Sequence, residues 1–219
     1  MALTFPRALL APDQIARVTV RALHQLSRAP SRGGNPGIAS FGRDLWQFDY
    51  VTHPLKERQA MAWEAWLASL RGGLRTFKAL HPLRAYLLAY PAGYGGMTRH
   101  GGGAFDGTAV VVSVAPGLNA VAISALPNGL QITAGDHISI TYSSGLQALH
   151  RVVENVTSVG ATATITVEPL LVPGLAAGAA VQLASPWCLA VLDAGTPAAQ
   201  WVAGRRTEAL RFTATQVFL

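Results

Sequence analysis

Apolar and polar positions alternate most regularly between Leu130 and Leu171, LQITAGDHISITYSSGLQALHRVVENVTSVGATATITVEPLL. After Ile132 and a turn at Ala134-Gly135-Asp136, Ile138, Ile140 and Tyr142 alternate with His137, Ser139 and Thr141, the period of two that gives a strand one buried face. Ser143-Ser144-Gly145 turns the chain. Leu149 to Val156 and Thr162 to Val167 follow as β-branched runs separated by Thr157-Ser158-Val159-Gly160, so the stretch predicts three antiparallel strands in a meander.

The same period recurs elsewhere. Ile15 to Leu23 reads as a strand, and Ala29 to Gly37 (APSRGGNPG) as a Pro/Gly loop whose Arg28 and Arg32 fit either a phosphate contact or a basic hairpin tip or inter-subunit loop. From Phe41 to Val51 the residues Trp46, Phe48 and Tyr50 share one side, which predicts a strand with a buried aromatic face. Then the period changes. Thr52 or His53 caps a helix with Pro54 at its first position and Glu57 in its first turn; Gln59, Trp63, Trp66, Leu67 and Leu70 form its apolar face, and Arg71 with Gly72-Gly73 ends it. Leu74 to Leu80 predicts the next strand. The glycine-rich stretch 93–103 predicts a linker, with none of the strand and helix context that a nucleotide-binding glycine loop needs.

Beyond it, Thr108–Val114, Leu118–Ile123, the central meander and Val181–Leu183 give about six short strands in residues 104–186, the pattern of a small β-barrel. Trp187–Leu192 and Glu208–Leu219 alternate again, the last with Leu210, Phe212, Ala214, Gln216 and Phe218 on one side. A terminal strand this apolar must be held by partners, so it is expected to return to the first part of the chain. The fold class is therefore mainly β: a split β-sandwich domain with one helix, residues 1–92 and 187–219, a linker over 93–103, and an inserted antiparallel barrel over 104–186.

Only 13% of the 219 residues are charged, against the roughly 25% usual for soluble chains. A surface covered by neighbouring subunits accounts for that deficit, since interface cores are depleted in charge. A membrane span does not: the most apolar candidate, Leu170 to Leu183, is interrupted by Pro173, Gly174 and Gly178. The N-terminus meets Pro6, Arg7 and Pro12 at once and reads as neither signal peptide nor span. Charge is also unevenly spread. Residues 1–100 carry 13 Lys and Arg against 5 Asp and Glu, and residues 101–190 carry 1 against 4, so the first part faces something anionic or is simply solvated.

Candidate chemistry is sparse. The histidines at 24, 53, 81, 100, 137 and 150 stand singly, without metal-ligand spacing, and the lone Cys188 reads as a small buried hydrophobe in a strand. Asp136 suits a turn cap, while Glu154 and Glu168 sit near strand ends; these three acids are the only candidates for hydrolytic chemistry, and nothing favours it over surface acids. No catalytic, cofactor-binding or metal-binding residue is assigned, and no cofactor is expected. With Arg151 alone and few aromatics such as Phe105 and Tyr142, the barrel is poorly equipped for nucleic acid, whereas a carbohydrate needs only a stacking aromatic and a few polar groups.

Two of these stretches carry a resemblance. The piece ERQAMAWEAWLASLRGGLRTFKALHP and the central meander, with its AGD turn, VVENVT strand and ATITVEPLL strand, resemble segments of tail proteins of long, flexible-tailed bacteriophages. They cover about a third of the chain. The order of parts is similar to that of the distal tail protein family. That resemblance implies a non-enzymatic virion protein at the tail tip, made in the host cytoplasm and assembled as a hexameric ring. Its partners would be copies of itself, the tail tube protein and the tip hub, with transient DNA passage and no membrane insertion; the inserted domain would project outward, in some members toward carbohydrate on the host surface. Another tail-tip or hub component, or a carbohydrate-binding barrel module, fits the same segments.

Overall fold

The structure is a computed structural model, which describes residues 3–29, 37–40, 42–142, 145–195, 200–202 and 206–218. It is mainly β, with a single α-helix among the described residues and a closed barrel of six antiparallel strands. The first part of the chain contributes β1 (Arg7–Ala8), β2 (Ile15–Leu23), a small hairpin of β3 (Leu26–Ala29) and β4 (Gly37–Ser40), the long β5 (Leu45–Lys56), helix α1 (Glu57–Ser69) and β6 (Phe77–Leu80). The middle contributes β7 (Thr108–Val114), β8 (Ala120–Ser124), β9 (Gln131–Ile132), β10 (His137–Thr141), β11 (Gln147–Val152), β12 (Val156–Thr157), β13 (Ala163–Glu168) and β14 (Ala180–Gln182). The end supplies β15 (Trp187–Leu192), β16 (Trp201–Val202) and β17 (Arg206–Gln216).

β15 and β17 return to the first part of the chain. β15 lies between β6 and β17, and β17 pairs β5, so one sheet runs β1-β6-β15-β17-β5-β2 with β16 attached to β17. Its buried face gathers the aromatic side of β5 (Trp46, Phe48, Tyr50) with Phe77, Cys188 and Phe212. The sheet is strongly curled: the Tyr50 hydroxyl on β5 reaches across two strands to donate to the Leu80 carbonyl on β6 at 2.7 Å. Facing the buried side are α1 at one end and barrel strands β10 and β11 at the other.

The boundary between β5 and α1 corrects the sequence pattern. Thr52, His53 and Pro54 do not cap the helix; they continue β5, and α1 begins at Glu57 behind Lys56. Pro54 is tolerated there because β2 ends its pairing at Thr52, so the proline has only β17 beside it. The register with β17 shifts at this point, and the Thr52 hydroxyl accepts the Leu210 N–H at 3.0 Å. Gln59 then caps the helix by accepting the Lys56 N–H at 3.0 Å. Ala60, Trp63, Trp66, Leu67 and Leu70 are buried, and Trp63 and Trp66 pack on Phe212. Arg71 and Gly72 take left-handed backbone, as the glycine pair predicted, and Gly73 (φ +100°) admits no side chain because a Cβ would lie 2.6 Å from the Leu192 carbonyl oxygen. The following strand is shorter than its pattern, Phe77–Leu80 rather than Leu74–Leu80.

In the barrel the order is β10-β11-β13-β8-β7-β14, and the predicted meander is β10, β11 and β13, each antiparallel to the next. Ile132 lies outside it: β9 pairs with β12, which the pattern had run together with β11. Residues 93–103, expected as a linker, are packed against the barrel. Tyr94 is buried in the barrel core and donates to Leu183 O at 2.9 Å. Gly107 (φ +88°) lets the chain pass close to it, since a Cβ there would meet the Tyr94 ring at 2.6 Å. Of the expected loop Ala29–Gly37 only the ends are described, Ala29 closing β3 and Gly37 opening β4, with Arg28 opposite Ile38 in the register; residues 30–36 with Arg32, and Phe41 and Ser143-Ser144, lie outside the described residues. Among the described residues no helix is long and apolar enough to cross a membrane.

Candidate functional site

The polar side of β10 and β11 lies in a buried seam. Register pairs His137 with Arg151, Ser139 with Leu149 and Thr141 with Gln147, so these residues share one face. Alternation alone assigns that face to solvent, but the curled sheet covers it, and β10 and β11 are buried on both faces. The polar groups satisfy one another instead. The Gln147 amide donates to the Ser139 hydroxyl at 3.0 Å, and the Thr141 hydroxyl donates to Gln147 Oε1 at 2.5 Å. Trp46 at the start of β5 donates its indole N–H to Leu149 O at 2.7 Å, meets the His137 ring edge-on at 5.7 Å and lies 4.9 Å from the Arg151 guanidinium. His81 follows β6 and stands 6.2 Å from His137.

Burial keeps these imidazoles neutral. It lowers His137 to about 3, with Arg151, His81 and Arg84 adding repulsion, and lowers His81 to about 4, with Arg84 and Arg151 adding to it. His150, on the opposite face of β11 with Ala148 and Val152, falls to about 4 by burial. Five buried side-chain atoms have no hydrogen-bond partner among the described residues: His81 Nδ1, His137 Nε2 and Arg151 Nε at the seam, and His150 Nε2 and Gln216 Nε2 beside it. Buried polar groups are nearly always paired, so this concentration marks the seam as unusual.

A cavity of about 270 Å³ opens beside it, between Ser40, Gly42, Arg43 and Asp44, the segment 169–173 and the end of β17. Its walls are mainly apolar, with Leu118, Leu171, Val172 and Phe218 among them, together with Arg43 and Asp44, and His150 and Gln216 border it with their unpartnered nitrogens buried. His150 is 2% exposed and Gln216 1%. Their roles follow from their other contacts. His150 Nδ1 lies 2.8 Å from the Pro169 carbonyl, which can only accept, so Nδ1 carries the hydrogen and Nε2 of the neutral ring presents a lone pair. Gln216 Oε1 accepts the Trp46 backbone N–H at 3.2 Å, so its NH₂ is the free donor.

A second concavity lies along the glycine-rich stretch, lined by Tyr86, Phe105, Asp106 and the backbone of Gly95, Gly96 and Gly103. Arg99 fixes its floor, donating to Ala125 O at 2.6 Å, Thr108 O at 2.8 Å and Asp106 Oδ1 at 2.7 Å. The Asp106 carboxyl is held below its ordinary range, first by the Thr108 hydroxyl and N–H and then by Arg99. Tyr86, 41% exposed, presents its ring at the rim against Tyr94.

The other sequence candidates are not brought together. Asp136 is buried in the turn before β10, where burial raises its carboxyl and it accepts the Thr133 N–H at 2.7 Å and the Leu88 N–H at 2.8 Å. Glu154 and Glu168 are exposed, Glu154 accepting the Thr166 hydroxyl at 3.1 Å. His24 pairs with Asp44 at 2.8 Å, and His53 and His100 are exposed. Cys188 is buried in the core of the sheet and its thiol is pushed up by burial. Among the described residues no three His, Cys, Asp or Glu form a group that could hold a metal ion.

The His81–His137 pair is missed by the sequence because the two residues meet only through the seam. His150 and Gln216 did leave a signal: each is a polar residue on the apolar parity of its strand, His150 with Ala148 and Val152, Gln216 with Phe212 and Ala214. No protein-family model matches the chain, and no curated protein matches it.

Proposed function

We propose that the chain is a non-enzymatic structural protein of a phage tail tip, forming a hexameric ring that joins the tail tube to the tip hub. The observation that carries this reading is the strand order β6-β15-β17-β5, which splits one sheet around the barrel in the order of parts that the distal tail protein family has. The charge deficit supports it: the exposed Leu74, Trp201 and Val202 on the split part are surface that a ring would cover. The protein belongs in the virion and, during assembly, in the host cytoplasm. Native mass spectrometry and electron microscopy of the full chain with its tail tube partner test the reading. A closed oligomer stacked on the tube is expected, whereas a chain that stays monomeric with that partner and is missing from particles overturns it.

A second reading, a carbohydrate contact on the outward barrel, is favoured by the Tyr86 groove. An exposed aromatic ring beside a fixed carboxylate and free glycine backbone has the elements of a sugar platform. A glycan array probed with the full chain should give binding that Tyr86→Ala removes; uniform silence of the array leaves the barrel as a spacer.

A further inference from the structure

We propose that the cavity where β14 runs into β15 binds a small monocarboxylate with an apolar body of about one ring, its head received by Lys78, Gln182 and Trp187. The inference does not rest on the ring reading.

This cavity, about 320 Å³ and open to solvent, lies between the segment before β2, strand β6 and the turn from β14 to β15. Register sets Lys78 opposite Leu189 and Trp187 opposite Leu80, so Lys78 and Trp187 are diagonal neighbours on one face, and the Lys78 ammonium stands 4.5 Å from the centre of the Trp187 ring. Among the described residues that ammonium has no acidic partner, and no Asp or Glu lines the cavity. Gln182 reaches the cavity from the barrel, with its roles assigned by the seam. The Thr141 hydroxyl donates to Gln147, the Gln147 amide donates to the Ser139 hydroxyl, and that hydroxyl donates in turn to Gln182 Oε1 across 3.5 Å. The chain of donors ends on the Gln182 NH₂, which like the Trp187 indole N–H has no partner among the described residues. Lys78, Gln182 and Trp187 are half-buried, and none of their side-chain nitrogens is sealed from solvent.

These groups select the ligand by charge and by hydrogen-bond role. Three side-chain donors face one cavity, one of them charged, and the exposed Ser185 hydroxyl beside them can donate as well. An ionised carboxylate only accepts, so it meets every one of them and supplies the missing counter-charge. An ammonium would face donors and a like charge, and an alcohol would leave the Lys78 charge unmatched. The walls decide the rest. Leu9, Leu80 and the Trp187 ring are apolar, which disfavours a strongly hydrated head with no body, such as acetate or inorganic phosphate. The volume is at the low end of the range for ligand sites, which sets the body at about one ring.

The test is calorimetry and indole ¹H–¹⁵N NMR on the full chain at pH 7 with phenylacetate, acetate, inorganic phosphate, 2-phenylethanol and 2-phenylethylamine. Phenylacetate should bind and shift the Trp187 Nε1–H resonance, identified by its absence in Trp187→Phe. The other four should bind at least about tenfold more weakly, for want of either the charge-assisted hydrogen bonds or the apolar contact. Lys78→Met, which keeps the aliphatic stem over Trp187, should bring phenylacetate to the affinity of 2-phenylethanol without moving thermal unfolding, and Lys78→Arg should restore the preference for the acid. Equal affinity for phenylacetate and 2-phenylethanol would make the cavity merely apolar, and equal affinity for phenylacetate and acetate would make Lys78 an ordinary solvated cation. A Trp187 shift that follows protein concentration with no ligand present would make the occupant an acidic side chain of a second copy. Each of these results, or no binding by any of the five, overturns the proposal, and the ligand series decides it even if Lys78→Met does not fold.

Discussion

Arg99 is the residue on which the glycine-rich stretch depends. Its guanidinium donates to the Ala104, Thr108 and Ala125 carbonyls, the Thr108 hydroxyl and the Asp106 carboxylate, and lies 5.2 Å from the Phe105 ring. The ion pair itself contributes little because the Asp106 side chain is 66% exposed. The carbonyl bonds matter more, since they join the 97–105 loop to the turn after β8. Arg99→Ala should lower stability by about 1–3 kcal/mol in urea unfolding and speed amide exchange across residues 93–106. Arg99→Lys should lose nearly as much, because one ammonium cannot span that fork of acceptors. A loss under about 0.5 kcal/mol would mean that Tyr94 and Phe105 hold the stretch by packing alone.

At the scale of elements, β11 and β7 show why alternation was enough for some of the fold and not for the seam. Both read as alternating strands. β7 keeps that meaning: Ala109 and Val111 point into the barrel while Val110 and Val112 are exposed. β11 is covered twice, by the barrel core on one side and the curled sheet on the other, so Leu149 on its outer face belongs to the sheet's core. Leu149→Ala should therefore cost about 2–5 kcal/mol, and Val110→Ala within about 0.5 kcal/mol, a contrast that denaturant midpoints can read. Near-equal losses would show that β11 is not covered on its outer side. The limits of β2, β7 and β15 were legible because each has a clear turn at both ends. The β5–α1 junction was not, because Thr-His-Pro is a good helix start locally and becomes a strand only through pairing with β17. Of the candidate site, the parity of His150 and Gln216 was visible in the sequence; the packing that buries them, and the meeting of His81 with His137, depend on contacts far apart in the chain.

For the whole molecule three histidines kept neutral by burial, two of them in the seam, make stability depend on pH. His81, His137 and His150 have folded-state values of about 4, 3 and 4, against an ordinary 6.5, so as pH falls through that window the unfolded chain takes up protons that the folded chain refuses. Stability is therefore full above about pH 7 and is lost as pH falls from 6.5 toward 4. The groups around the imidazoles strengthen the effect: Arg84 and Arg151 face His81 and His137, and a proton on either ring would add a third cation to the seam. Asp136 opposes it. Its raised carboxyl binds a proton more readily in the folded state, which favours folding as pH falls, and this one group offsets at most one of the three histidines. Between one and three protons taken up on unfolding correspond to a slope of roughly 1.4 to 4 kcal/mol per pH unit. Urea unfolding at intervals from pH 7.5 to 4.5 should show that slope, and His81→Gln should reduce it by about one proton. The loss should appear first where barrel and sheet meet, as exchange of the β10 and β11 amides, because a charged imidazole there has no carboxylate across from it and can be solvated only by opening the seam. A stability flat from pH 7 to 5 would mean that water already reaches these rings and that the seam is not closed.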